Sequence, residues 1–304
     1  MKRNAITIIL STFIINFIFA QQEPQIFIVG SDEGNAVYWL NNEKFVLPKV
    51  GANASANAIA VSGTDVYIAG SEYANNSSGI AINRDAVYWL NGRRFVLPKV
   101  GANASANAIA VSGTNVYIAG SDGNDAVYWL NGRRNVLPKT NNRATASANA
   151  ITIYDSNIYI VGNIYVNYGR DAAYWLNGRQ IILSKANTEY KFSEWYLESD
   201  FFASSIFISG SNIYFAGGLW EHNTGHALYW LNERWFWLSS ENFISSANGI
   251  VVSGSDVYIV GTVNDHIGPE WYDFNSNAVY WLNNRQYMLS NSGNSNARAI
   301  FIRQ

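Results

Sequence analysis

Residues 106–137 read ANAIAVSGTNVYIAGSDGNDAVYWLNGRRNVL, and this stretch decides the fold. It holds four short runs, Ala106–Ser112, Val116–Gly120, Ala126–Leu130 and Asn135–Leu137, separated by Gly113–Asn115, Ser121–Asp125 and Asn131-Gly132. Asn-Gly between two apolar runs is a strong hairpin signal, because a type I′ turn needs positive φ at both central residues. The runs VYIAG and VYWL are apolar on both faces, which suits strands covered on each side by a neighbouring sheet.

The unit recurs. Tyr-Trp-Leu-Asn occurs six times, with its tryptophans at 39, 89, 129, 175, 230 and 281, spaced by 50, 40, 46, 55 and 51 residues. Residues 45–64 and 95–114 are identical, the mark of an internal duplication. Asn-Gly returns at Asn91-Gly92 and Asn177-Gly178, while Asn41-Asn42, Asn232-Glu233 and Asn283-Asn284 fill the same slot with weaker turn formers. Four strands in a period of ~40–50 residues predict a β-propeller; the rival β-solenoid has shorter repeats. The expectation is an all-β, single domain over residues 21–304. It would have six blades of four antiparallel strands. The first blade would be split, with Ala297–Ile302 pairing with Gln25–Gly30 so that the N- and C-terminal strands close the ring and leave no open edge.

Composition agrees with sheet. Of the 304 residues, 48% are hydrophobic, 15% aromatic and only 14% charged. Residues 1–20 read as a Sec-type signal peptide: Lys2 and Arg3, an apolar run Ile6–Phe19, and Ala20 before the cleavage point. That run is interrupted by polar residues and is shorter than the roughly 20 needed to span a bilayer. The expected location is secreted or periplasmic, and the absence of cysteine leaves no lipobox and no disulfide. Removing residues 1–20 takes the formal charge from −2 to −4. With no basic cluster, nucleic acid is excluded as a partner.

The unit SANAIAVSGTDVYIAG (55–70) followed by AVYWLNG (86–92) resembles repeats of secreted bacterial proteins of largely unknown function. It is similar in phasing to YVTN-type propeller repeats over residues 25–304, without their Pro-Asp-Gly turn and with Tyr-Trp-Leu-Asn added. The resemblance implies export and a propeller. It implies no reaction and carries over no site residue.

The six tryptophans, at one fixed place in every unit, read as packing between blades. A second recurring position holds Asn57, Asn107, Asn149 and Asn248, with Ser204 and Arg298 in the other two units. Such a ring of amides either bonds the neighbouring blade's backbone or binds a polar ligand. The segments that vary most are Ser71–Asp85, Lys185–Phe202, Gly218–His226 and Thr262–Asn277, all expected as loops at one end of the blades, where function collects. Phe192, Trp195, Tyr196 and Phe202 fall near helical spacing, which suggests a short amphipathic helix.

The candidate ligand-binding residues are therefore Trp195, Tyr196, Trp220, His222, His226, His266, Trp271 and Tyr272. The three tryptophans are expected to border one concavity with the three histidines. Motifs for metal, phosphate or nucleophile chemistry are absent, so no metal, cofactor or catalytic residue is assigned. The expected function is non-catalytic: a monomeric binding or scaffolding propeller whose ligand is a glycan or a protein surface, with no membrane span. The alternative is a hydrolase or lyase at the same mouth.

Overall fold

The computed structural model describes residues 25–75, 81–166, 169–183, 200–221, 224–238, 244–266, 274–289 and 295–300. They form six antiparallel sheets and no helix. Sheet 1 has three strands, β1 (Phe27–Asp32), β2 (Asn35–Leu40) and β3 (Glu43–Val46). The other five have four each, in chain order. Sheet 2 is β4 (Asn53–Ser62), β5 (Asp65–Asn75), β6 (Ala81–Leu90) and β7 (Arg93–Val96). Sheet 3 is β8 (Ala104–Ser112), β9 (Asn115–Asp122), β10 (Asp125–Leu130) and β11 (Arg133–Val136). Sheet 4 is β12 (Thr145–Tyr154), β13 (Asn157–Val166), β14 (Gly169–Leu176) and β15 (Arg179–Ile182). Sheet 5 is β16 (Asp200–Ser209), β17 (Asn212–Glu221), β18 (Thr224–Leu231) and β19 (Arg234–Trp237). Sheet 6 is β20 (Ile244–Ser253), β21 (Asp256–His266), β22 (Phe274–Leu282) and β23 (Arg285–Met288). The repeated four-stranded unit read from the sequence is thus the observed one, and the arrangement is propeller-like.

The turn slot behaves alike in all six sheets. Asn131 and Gly132 have φ of 50° and 80°, and Asn41-Asn42, Asn232-Glu233 and Asn283-Asn284 adopt the same positive pair. The reason is a side-chain bond. In sheets 2 to 6 the Asn that follows Tyr-Trp-Leu accepts, through Oδ1, the backbone N–H at the start of the second strand, as Asn131 does from Val116 at 2.8 Å, and in sheet 1 Asn41 accepts that of Ile26, just before β1. The side chain holds the hairpin where the second turn residue is a poor former.

Inner strands lie side by side in chain order, β4 on β8, β8 on β12, β12 on β16 and β16 on β20, with β1 beside β4. Each of the five carries a β-bulge, between Ala56/Ala58, Ala106/Ala108, Ala148/Ala150, Ala203/Ser205 and Ala247/Gly249. The bulged residues are Asn57, Asn107, Asn149, Ser204 and Asn248, the recurring position noted in the sequence. Bulging swings the preceding carbonyl over the second strand. A Cβ at Gly120 would run into the Ser105 carbonyl, which is why that strand carries glycine there.

The sheets are joined by their tryptophans. Trp89, Trp129, Trp175, Trp230 and Trp281 are fully buried. Trp129 Nε1 donates to the carbonyl of Pro98 in the segment leaving the preceding sheet at 2.8 Å, and Trp89 and Trp175 reach Pro48 and Pro138 in the same way. Trp39 in sheet 1 is only half-buried. The core reading of these rings holds.

A second inter-strand lock divides the molecule. Glu72 and Asp122 are buried and bonded to Arg94 and Arg134, two strands away in the same sheet. Asp32 and Lys44 repeat the pair in sheet 1. In sheets 4 and 5 the same two positions hold Ile164 with Gln180 and Leu219 with Trp235, and in sheet 6 Val263 with Gln286. Ile164, Leu219, Val263 and Trp235 are buried. An ion pair in one half is replaced by apolar packing in the other.

Two expectations are corrected. Where they are described, the segments expected as long loops lie largely in strands: β5 and β6 extend to Asn75 and from Ala81, β17 and β18 leave only residues 222–223 between them, and β21 runs to His266. Strand pairing overrides the polar, unpatterned sequence. Phe202, assigned to a helical face, lies in β16. Among the described residues, Ala297–Ile300 are not in a strand and sheet 1 has no fourth strand. Residues 1–24, with the expected signal peptide, lie outside the described residues.

Candidate functional site

Each second strand passes its bulge-facing glycine and continues upward. Three residues beyond that glycine stand Glu33, Tyr73, Gly123, Tyr165, Trp220 and Asn264 in sheets 1 to 6. Among the described residues this one repeat position supplies two exposed aromatics at the variable end: Tyr165 is 41% exposed and Trp220 is 39% exposed.

In sheet 4, Tyr165 pairs directly with Arg170 on β14. In sheet 5, Trp220 pairs with Asp200 on β16. Arg170 closes the gap between the sheets. Its Nε donates to Asp200 Oδ1 at 2.8 Å and an Nη to Oδ2 at 3.4 Å. The guanidinium also lies 4.7 Å from the centre of the Phe202 ring and 5.9 Å from that of Tyr165, within cation–π range. In register the four residues make one row, Tyr165, Arg170, Asp200, Trp220, with the charge pair bridging sheets 4 and 5 and the Trp220 ring on the side of sheet 5 turned to sheet 6. Such a row offers flat apolar faces for stacking and a bonded polar centre.

Of the residues expected in the site, Trp220 lies in this row. Trp195, Tyr196, His222, Trp271 and Tyr272 lie outside the described residues, and His266 is the last residue of β21. His226 is not beside Trp220, which corrects the expected shared concavity. It stands in β18, its ring edge-on to Trp237 at 5.2 Å, on the face whose Leu228 and Trp230 pack toward sheet 4. Trp220 lies over Gly225, on the face turned to Ile244 and Ser245 of sheet 6. Strand alternation puts neighbours 225 and 226 on opposite faces. Among the described residues no group of three His, Asp or Glu side chains comes together in a metal-binding arrangement.

Asn57, Asn107, Asn149 and Asn248 are structural. Their amides donate to the carbonyls of Ala106, Ala148, Ala203 and Ala297 in the next inner segment, at 2.8 to 2.9 Å. Ser55, Ser105 and Ser147 hydroxyls bond the Oδ1 of the first three and orient them.

Sequence reading missed Tyr165, Arg170, Asp200 and Phe202. The signal was present in the offset from the second-strand glycine, which sets Tyr165 and Trp220 in register, and in the Arg-Asp-Ala string at 170–172. No family model matches this chain, and a search of curated proteins gives no match either.

Proposed function

We propose that the chain is an exported, non-catalytic six-bladed β-propeller that binds a glycan at the aromatic end of sheets 4 to 6. The observation that carries this is the row of Tyr165 and Trp220 around the Arg170–Asp200 pair. Exposed rings on a rigid hairpin stack on the apolar faces of sugar rings, while a charge pair offers hydroxyl partners.

Closure of the ring belongs to this reading. Support comes from the Asn248 amide, which donates to Ala297 as the other asparagines donate to their next inner strands. Arg298, Ala299 and Ile300 also share a cavity of about 960 Å³ with β1 and the start of β4. In the closed ring Ala297–Ile302 becomes the inner strand of sheet 1. Export rests on Lys2, Arg3 and the apolar run Ile6–Phe19, with the resemblance to secreted propeller repeats beside it. Among the described residues no helix is long and apolar enough to cross a membrane.

A glycan array probed with residues 21–304 tests the function, with a Trp220→Ala variant as the control. Capture of a glycan class by the parent and its loss in the variant is expected. Cleavage of the captured glycan during incubation would replace binding with the hydrolase or lyase reading, and capture of no glycan would overturn the assignment.

A further inference from the structure

The molecule carries a second copy of the Tyr–Arg pair, in sheet 2. Tyr73 and Arg84 are register partners on β5 and β6, as Tyr165 and Arg170 are on β13 and β14. The guanidinium stands 5.8 Å from the Tyr73 ring centre, against 5.9 Å in sheet 4. Both arginines precede Asp-Ala in the strand, and both sit beside the first residues of the next sheet's inner strand.

The partner differs. Asp200 stands three residues before the bulge-side Ala203, and in sheet 3 the residue three before Ala106 is Asn103. Asn103 forms a backbone bridge to Arg84 but has no carboxylate to offer. The Nε of Arg84 is sealed from solvent and has no hydrogen-bond partner among the described residues. Among the described residues its Nη reaches only the Tyr73 hydroxyl, at 3.5 Å. In sheet 4 that same Nε is the atom that holds Asp200. A buried donor without an acceptor is costly, and a guanidinium edge is shaped for a carboxylate. Around it lies an open cleft of about 310 Å³ lined by Tyr73, Asn83, Arg84 and Asn103.

We infer that this cleft binds a carboxylate-bearing sugar, a uronic acid residue, with Arg84 as its anion partner. Asp200 marks, within the same chain, where the carboxylate sits. A ligand entering from the open side displaces the exposed Asn103 side chain and gives Nε its acceptor. The remaining described lining is two amides and a phenol ring, which match the hydroxyls and the face of a sugar. The cleft is at the small end of ligand pockets, suited to one ring rather than an extended peptide. This site lies two sheets away from the row at Trp220 and does not depend on it.

Calorimetric titration of residues 21–304 with a galacturonic acid trisaccharide tests the inference. Its carboxyl-reduced neutral counterpart and a glutamate-containing tripeptide serve as comparison ligands. The acidic trisaccharide is expected to bind at one site and the other two are not. Arg84→Gln should weaken binding by roughly tenfold or more, the scale of a lost charge-assisted bond. Because that variant also alters packing, Asn103→Asp is the sharper test. It rebuilds the Asp200 arrangement beside Arg84, so the protein should stay folded with an unchanged or higher melting temperature while binding falls by about as much. Trp220→Ala should leave this binding unchanged, which separates the site from the glycan row. Four results would overturn the inference: no binding of the acidic trisaccharide, equal binding of the neutral one, binding of the peptide instead, or full binding by Asn103→Asp.

Discussion

The side-chain amide of Asn107 donates to the backbone carbonyl of Ala148 at 2.9 Å, across 41 residues of chain and from one sheet to the next. The residue sits on a bulge, so its own strand leaves it unpaired, and its side chain is spent on the neighbouring sheet. Asn107→Ala should therefore cost about 1–2 kcal/mol by stranding the Ala148 carbonyl. Asn107→Asp should cost more, because a carboxylate cannot donate and repels that oxygen. Urea unfolding midpoints decide it; variants that unfold with the parent would show that the amide ladder adds nothing.

The exchange of ion pairs for apolar packing between the two halves gives a stability test. Arg94→Gln alone leaves Glu72 buried without its partner and should cost about 3–5 kcal/mol. Adding Glu72→Ile copies the Ile164 and Gln180 pair of sheet 4 and should restore most of the loss. A double variant as unstable as the sum of the two single changes, in a thermal double-mutant cycle, would mean that sheet 2 cannot accept the sheet 4 solution.

Tyr174 sets an alkaline limit. Burial, then the hydrogen bond its hydroxyl donates to Glu233 at 2.8 Å, then the charge of Glu233, push its pKa well above the ordinary value of 10. Burial shifts Tyr88 and Tyr229 the same way. The folded state holds these protons more tightly than the unfolded one, so their contribution is whole below pH 10 and declines as pH rises above it. Tyr174→Phe should be about 1 kcal/mol less stable at neutral pH, yet lose less stability between neutral and strongly alkaline solution. Urea titrations on both sides of the tyrosine range check this, and a variant declining as steeply as the parent would assign the effect elsewhere.

The unit was legible because its determinants repeat. Asn131-Gly132 announced a turn, and a tryptophan in every VYWL-like strand announced a shared core. The extended hairpins were not legible. Residues 71–75 and 81–85 carry no apolar alternation, and backbone pairing, not side-chain pattern, keeps them in strands. Closure was read from the phase of Gln25–Gly30 and Ala297–Ile302; among the described residues Asn248 reaches Ala297, but Ala297–Ile300 are in no strand. The site was partly legible. Trp220 stood out as an aromatic in a variable segment, while Asp200 carried no signal of its own. Its meaning depends on Arg170, which reaches it only after the sheets are stacked.

Trp220 is half out of the fold, lying over Gly225 on the face turned to Ile244 of the next sheet. Its removal uncovers little core, so Trp220→Ala should cost well under the about 3–5 kcal/mol expected for a fully buried ring such as Trp129. Glycan binding should nevertheless fall by roughly tenfold or more, the scale of a lost aromatic anchor. Asp200→Asn separates the roles further: it keeps the shape, weakens the hold on Arg170, and should reduce affinity while leaving the Trp220 hairpin in place. Tryptophan fluorescence of the parent and of Trp129→Phe should quench on titration with the captured glycan, and that of Trp220→Phe should not. A quench that survives in Trp220→Phe would move the binding site away from the row joining Tyr165 to Trp220.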